Sequence, residues 1–367
     1  MASGFCPYLL GDIKNWYSPD IAPSEKVTET GVLNMLLNRK SSTTMINNLQ
    51  SEGGYVREVR IKYMQRGVEA MVQESFSCDT GQTPGYKEVT VPVSKKVQES
   101  LFFDIATIRQ YCSDGAAAEK SNWTTPATPV MKFVREAILT KLNGMYQKMS
   151  RRIAQDIILA APVTATINLP LSGSTLDLNT GMQQLLGALE DVEFCGTPDI
   201  IGGSNLFRNF NMMKNSSALG MNQAGMMVDA NALWNFYYQL NMRTLLATND
   251  ILAIDPGSVE LIYQDLEVGA FSGSLGTSHF GQFIDPRFQC KVGNVYSGFP
   301  WEIQIKEIDC PTTLTNAYTG ASGTYDRGYA VYIRKVYDTW VAPNDLYDGG
   351  DVISGQRGIK RFSITNV

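Results

Sequence analysis

Few residues of this chain could support catalysis or bind a metal. Its 367 residues include one histidine, His279, and six cysteines that form no CxxC pair, which excludes a zinc site built from several histidines or paired cysteines. His279 lies in Gly276-Thr-Ser-His-Phe-Gly281, and the flanking glycines predict a loop. Neither GxGxxG nor GxxxxGK[ST] occurs, so no nucleotide cradle is expected. We predict no cofactor, no metal and no catalytic residue.

Carboxylate pairs are the remaining catalytic option. Glu190 with Asp191, or Asp265 with Glu267, could in principle cleave a glycosidic bond. Proximity in sequence does not establish pairing in space, and nothing in the sequence orients or desolvates these carboxyl groups. The chain is therefore predicted not to be an enzyme, with a carbohydrate-active hydrolase as the alternative.

Basic residues cluster in one predicted strand. Arg60 and Lys62 alternate there with Val59, Ile61 and Tyr63, so charges lie on one face and apolar groups on the other. The charges could keep an exposed edge strand from wrong pairing, or could form salt bridges to a neighbouring subunit. The candidate contact residues of this region are Arg57, Arg60, Lys62, Arg66 and Lys87.

These residues require a long two-stranded excursion from the rest of the chain. A second alternation follows at Val89, Val91 and Val93, and the segment Cys78–Gly85 between them carries the Gly, Pro and Asp that reverse a chain. The excursion is predicted over 55–103. Such a hairpin is not expected to bury its apolar face within one chain, so it predicts assembly with neighbours.

The clearest predicted element is one long amphipathic helix over 129–161. Thr128 caps it, Pro129 suits its first position, and apolar residues recur every three or four positions until Ala161-Pro162. At 1.5 Å per residue it would be about 50 Å long. Its polar face carries more basic than acidic residues: Lys132, Arg135, Lys141, Lys148, Arg151 and Arg152 against Glu136 and Asp156. This predicts a solvated face or, alternatively, one directed at a polyanion or an acidic neighbour.

The remaining segments and the composition limit the class of protein. We predict an arm over the first 50 or so residues and a short buried strand at 198–201. Later strands are predicted by the alternation at Trp301, Ile303 and Ile305 and by the β-rich run 329–341. The packed part is predicted to end at Pro343, before the tail. The formal net charge is −5, which argues against a protein that coats nucleic acid. No run of about 20 apolar residues and no signal peptide is seen, so we expect no membrane contact and maturation in the cytosol.

Taken in order, these elements resemble the major capsid proteins of tailed bacteriophages, the Hong Kong 97 fold. The sequences that carry the resemblance are the helix at Pro129–Pro162, PDIIGGSNL at Pro198–Leu206, and the strands at Trp301–Ile308 and Tyr329–Trp340. The resemblance implies an α+β fold with an N-terminal arm at 1–54, an extended loop at 55–103, and a peripheral domain at 104–184 and 300–343 with the spine helix 129–161. It further implies an axial domain at 185–299 and a tail at 344–367.

The same resemblance implies function through contact. Copies would form pentamers and hexamers that close into an icosahedral shell around weakly contacted double-stranded DNA, in a virion assembled in the bacterial cytoplasm. The short arm predicts a separate scaffolding protein, and a portal is the other expected partner. Some relatives join neighbours through a lysine isopeptide bond, but Lys87, Lys95 and Lys96 are predicted to be ordinary solvated lysines. A nanocompartment shell and a connector or tail protein of a phage are the alternatives.

Overall fold

The computed structural model defines a mixed fold dominated by strands. It describes residues 31–38, 43–47, 58–63, 87–105, 129–160, 163–169, 171–172, 175–176, 198–202, 235–238, 250–265, 273–275, 278–292, 295–309, 312–315, 320–325, 327–342 and 358–366. The helices are α1 (Gly31–Asn38) and α2 (Pro129–Ala160). The strands of the first half are β1 (Thr43–Asn47), β2 (Glu58–Tyr63), β3 (Lys87–Pro92), β4 (Lys95–Asp104), β5 (Val163–Leu169), β6 (Leu171–Ser172) and β7 (Thr175–Leu176). Those of the second half are β8 (Asp199–Gly202), β9 (Asn235–Tyr238), β10 (Ile251–Ile254), β11 (Val259–Asp265), β12 (Gly273–Leu275), β13 (Ser278–Val292), β14 (Val295–Ile308), β15 (Thr312–Thr315), β16 (Ser322–Tyr325), β17 (Gly328–Val341) and β18 (Ile359–Asn366).

Helix α2 confirms the predicted long helix to within one residue of its end. Its apolar stripe is buried where it contacts α1, β4 and β17. It ends at Ala160 because the residue before Pro162 is disfavoured in the helical conformation. The fully buried members of the stripe are Val134, Ile138, Leu142, Met145, Tyr146, Met149, Ile153 and Ile157.

Residues 31–38 and 43–47, which lie within the predicted arm, are part of the folded body. In α1 the side chains of Val32, Leu33 and Met35 are fully buried, and the amide of Leu33 donates to the Ser150 hydroxyl of α2 at 3.3 Å. Strand β1 follows and pairs in parallel with β11. The physical reason is that most side chains of α1 are apolar. Burying them against the body is more favourable than exposing them to water in an extended arm.

The main sheet has seven strands in the order β1-β11-β17-β14-β13-β12, with β4 also paired to β17. Alternation along β14 buries Trp301, Ile303 and Ile305 on the face that α2 covers, as predicted, while Glu302, Gln304 and Lys306 are less buried. Strand β17 lies at its centre and is antiparallel to β4, β11 and β14.

The sheet joins segments assigned by the sequence to different domains. Strand β14 runs through the boundary placed between residues 299 and 300, and β11 of the predicted axial segment pairs with β17 of the predicted peripheral segment. The division into peripheral and axial domains stays a prediction.

A five-stranded sheet, in the order β5-β18-β10-β8-β9, contains the C-terminal strand. The prediction that packing ends at Pro343 is wrong, because β18 pairs with β10 and β5 and buries Ile359 and Phe362. The Arg361 guanidinium also donates to buried Asp250 at 2.7 Å. The short strand predicted at 198–201 is confirmed as β8, which is fully buried.

The segment around His279 also differs from its prediction. His279 itself lies in β13 and is paired with Ile305 of β14, whereas Gly276 and Thr277 lie outside the described residues. Gly281 is also part of β13, because glycine is compatible with extended backbone.

Candidate assembly surface

The predicted excursion contains a two-stranded antiparallel ribbon formed by β2 and β3, called the β2–β3 ribbon below. Val59 faces Val91, Ile61 faces Val89, and Lys62 faces Glu88 in the register. The ribbon ends at Pro92, which cannot donate a ladder hydrogen bond. Residues 95–103, predicted as part of the excursion, belong instead to β4, which pairs with β17 over ten residue pairs from Lys95 to Asp104.

One face of the β2–β3 ribbon carries exposed charge. The side chains of Arg60 and Lys62 are 70% and 67% exposed, and both approach the Glu88 carboxylate, at 3.5 Å and 3.9 Å. Exposed pairs of this kind contribute about 0 to 1 kcal/mol each. Glu58 is exposed on the same face, so two carboxylates meet these two cations. With exposed Lys87, the described ribbon carries three cations against two carboxylates, and these side chains are available for contact with a partner.

The structure brings part of the predicted contact set together. Arg60, Lys62 and the exposed Lys87, which begins β3 opposite Tyr63, lie on the ribbon. Arg57 and Arg66 lie outside the described residues. Glu88, which links Arg60 and Lys62, was not predicted as a site residue, although its place opposite Lys62 follows from the strand register.

The other face of the ribbon packs on the main sheet. Val59, Ile61, Tyr63 and Val89 are partly buried against the outer cluster, and the rings of Tyr63 and Trp340 are 6.1 Å apart. The outer cluster consists of Val91, Val93, Ile262, Val336, Trp340 and Ala342. The prediction that this apolar face could not be buried within one chain is therefore wrong for the described ribbon, because the sheet's outer face offers a matching apolar surface.

A buried ionic group fixes the root of the ribbon. The Lys95 ammonium donates to Asp156 of α2 and to Asp338 of β17, both at 2.7 Å. Asp338 also accepts from the Ser94 amide at 3.1 Å. Lys95 was predicted to be a solvated lysine, but its side chain is only 22% exposed. The sequence carries no signal for these contacts, since the partners lie 61 and 243 residues away.

The exposed side of α2 is basic, as the sequence indicated, and part of its charge is balanced within the chain. Lys141 and Lys148 both bind Glu99 of β4. The hydrogen bond from Lys148 is the main cause that holds the pKa of Glu99 below its ordinary value. Arg152 approaches Asp156 at 3.7 Å, whereas exposed Arg151 has no ion-pair partner among the residues that the structure describes.

One carboxyl group near the outer cluster is desolvated. Glu260 of β11 lies opposite Trp340 in the register and on the same face of its strand as Ile262. Burial raises the pKa of Glu260 from its ordinary value of 4.5 to about 7. This part of the surface therefore changes charge near neutral pH.

The described parts of the chain show surfaces for contact and no assembled reaction centre. Within them, no group of three or more His, Cys, Asp or Glu side chains is arranged to hold a metal ion. Of the carboxylate pairs considered for hydrolysis, Glu190, Asp191 and Glu267 lie outside the described residues. Neither of the two helices with described bounds is both long and apolar enough to cross a membrane.

Comparison with known proteins gives matches to solved structures alone. No family model matches the chain, and no curated protein is similar to it. A capsid protein of cyanophage A-1(L) is 10% identical, covers 94% of this chain and 95% of its own, and has a TM-score of 0.46. A capsid structure of cyanophage P-SCSP1u is 10% identical, with 96% and 92% coverage and a TM-score of 0.45. A virus-like particle from Pyrococcus furiosus is 9% identical, with 97% and 96% coverage and a TM-score of 0.39.

Identities near 10% and TM-scores below 0.5 are too low to transfer any feature of those proteins to this chain. The three are described as two phage capsids and a virus-like particle.

Proposed function

We propose that the chain is the structural subunit of an icosahedral phage capsid, assembling into pentamers and hexamers that enclose double-stranded DNA. The observation that carries the proposal is the β2–β3 ribbon. Its inner face is anchored on the chain's own sheet, while exposed charged side chains, among them Arg60 and Lys62, cover its outer face. Exposed charge on a two-stranded element fits contact with a complementary surface of a neighbouring copy.

The fixed root of the ribbon supports the same function. A contact surface that must repeat identically in many copies needs a defined position relative to the body. Lys95 and Ser94 supply this by joining the ribbon's end to α2 and β17 through Asp156 and Asp338. The charged face therefore has a defined position relative to the main sheet.

The finer features of the proposal follow from the sequence resemblance. They comprise the arm, loop, spine-helix and axial-domain organisation of the Hong Kong 97 fold, a separate scaffolding protein, a portal, and assembly of the virion in the bacterial cytoplasm. Arg57, Arg60, Lys62, Arg66 and Lys87 are the proposed contacts between subunits. Turnover of a substrate forms no part of the proposal.

Electron microscopy with light scattering on the purified protein tests this function. The full chain is expressed with and without the products of its neighbouring genes. Closed shells, or rings of five and six copies, are expected in at least one condition. A single ring of another order would favour a connector, shells loaded with enzyme would favour a nanocompartment, and a monomer of 40.5 kDa under all conditions would contradict the proposal.

A charge-reversal variant tests the ribbon itself. The double variant Arg60→Glu and Lys62→Glu is expected to abolish assembly, because it removes both cations of this face and, with Glu58 and Glu88, leaves four carboxylates there. Lys306→Glu is the matched control, since Lys306 is exposed on β14 away from the ribbon. Equal assembly of the double variant and the control, with unchanged thermal unfolding, would remove the ribbon from the contact surface.

A further inference from the structure

Helix α2 carries a row of partly to fully exposed cations along the side that borders β4, called the basic stripe. It consists of Lys141, Lys148, Arg151 and Arg152. Lys148 and Arg152 are 65% and 56% exposed and lie four residues apart, so they are neighbours on the helix surface, with Arg151 beside them. The apolar stripe of α2 is buried in the core, so these cations point outward.

The carboxylates that approach the basic stripe do not neutralise it. Glu99 is shared by Lys141 and Lys148, and Asp156 is shared by Arg152 and Lys95. Lys95 also binds Asp338, so five cations, counting Arg151, meet three carboxylates and two positive charges remain. This local excess stands out on a chain whose formal net charge is −5.

The uncharged residues around the basic stripe indicate which partner it fits. Thr140, Asn143, Gln147 and Gln155 are polar and at least partly exposed, and Leu159, 82% exposed, is the large apolar side chain of this face, beyond its last arginine. The core of a protein interface is enriched in aromatic residues and depleted in lysine. Flexible cations among hydrogen-bonding side chains instead suit phosphate groups, which are contacted without base recognition.

We propose that the basic stripe contacts the phosphate backbone of the enclosed nucleic acid. The inference rests on the proposed function, since it places this side of α2 toward the interior of a shell. The contact is weak and independent of base sequence, because the described residues of the stripe keep two uncompensated charges per copy. In a shell with many copies, many such weak contacts together retain the nucleic acid, while each single contact dissociates easily.

The expected size of the effect follows from counterion release. For about two phosphates neutralised per chain, log K against log salt has a slope of about −1.8, so raising salt from about 50 to 200 mM weakens binding about twelvefold. Removal of one contact makes the slope shallower, at about −0.9, and the same change in salt then weakens binding about 3.5-fold.

Fluorescence anisotropy of a labelled DNA duplex with full-length, unassembled protein tests the proposal. Arg151→Ala is the variant, because Arg151 has no ion pair within the described residues and its loss leaves no carboxylate unpaired. The shallower salt slope and weaker binding at low salt are expected. Lys306→Ala is the control, since Lys306 is exposed on a strand whose buried residues face α2, and so lies on the other face of the main sheet.

Several outcomes would overturn the inference. One is equal binding and equal slopes for Arg151→Ala, Lys306→Ala and the unchanged chain. Another is a polyglutamate peptide that binds as tightly as the duplex and loses affinity in Arg151→Ala, which would assign the stripe to an acidic protein partner. Shell formation is measured separately by electron microscopy. If shells form but Arg151→Ala binds the duplex as the unchanged chain does, only this inference is contradicted. If Arg151→Ala weakens duplex binding but the protein never assembles, the capsid proposal is contradicted.

Discussion

The two faces of the main sheet are covered in different ways. On one face, α1 and α2 form a core whose members are almost all fully buried, including Trp301, Tyr146 and Phe299. On the other, the β2–β3 ribbon covers the small outer cluster. Val91 of the ribbon is buried there, while Val59, Ile61, Tyr63 and Val89 remain only partly buried. Both coverings contact β17.

This difference separates the part of the molecule that sets the fold from the part that presents a surface. Free energy of opening follows the apolar area buried, so the ribbon is expected to separate from the sheet at lower cost than α2. The structure therefore combines a rigid body with one covering element that can yield locally. Four variants test this difference between the two faces.

Trp301→Ala is expected to have the largest effect. Trp301 is fully buried, packs edge-on against Tyr146 at a centroid distance of 5.0 Å and donates its indole N–H to the Tyr146 hydroxyl at 2.7 Å. The cavity and the lost hydrogen bond should lower the free energy of unfolding by about 4 kcal/mol, measured by denaturant titration. Trp340→Ala in the outer cluster is the matched comparison, and an equal loss there would contradict the proposed difference between the faces.

Asp338→Ala should come next, because it acts where the ribbon joins the body. The change leaves Lys95 with Asp156 alone and removes the acceptor of the Ser94 amide. A loss of about 3 kcal/mol in the free energy of unfolding is expected. Compared with the unchanged chain, hydrogen exchange should also accelerate more in 58–63 and 87–92 than in α2. Asp309→Ala breaks the exposed pair with Arg327 and should change neither quantity; a similar effect of both variants would refute the role of the root.

Glu260 should make stability depend on pH. Because burial raises its folded pKa to about 7 from 4.5, its contribution to stability is complete below pH 4.5 and is lost as the pH rises to 7. Allowing for its partial exposure, the loss is about 2 kcal/mol. Glu260→Gln should flatten this slope in thermal unfolding between pH 5 and 7. Glu99→Gln, whose carboxyl group has a lowered pKa, should leave that slope as it is.

Arg60→Ala should have the smallest effect on folding. Its guanidinium is exposed and 3.5 Å from Glu88, so the free energy of unfolding should change by less than about 0.5 kcal/mol. Assembly yield, measured by light scattering, should nevertheless fall. A large loss of stability would show that the charged face maintains the ribbon rather than meeting a partner.

Local patterns in the sequence predicted the elements that short-range physics determines. The 3.6-residue period predicted the extent of α2, alternation predicted the inward face of β14, and two further alternating runs predicted the ribbon. The sequence did not reveal that α1 enters the core, although its apolar content was visible, because its contacts to Ser150 and β13 are long-range.

The candidate surface was predicted in part for the same reason. Arg60 and Lys62 were visible because charge alternates within one strand, and the basic face of α2 was visible because charge recurs along one helix. The triad of Lys95, Asp156 and Asp338 joins three distant segments, and the desolvation of Glu260 depends on burial of its place in β11, opposite Trp340 of β17. Neither property is encoded in any short window of sequence.

The pairing of β4 with β17 determines how the chain responds to mechanical load. A pull on the ribbon reaches β4 through Ser94 and Lys95 and acts along the strand axis. Its ten residue pairs with β17 then resist in shear, so their hydrogen bonds must fail together rather than one after another. A force applied to the ribbon by a neighbouring molecule would therefore strain the whole sheet before a single strand separated from it.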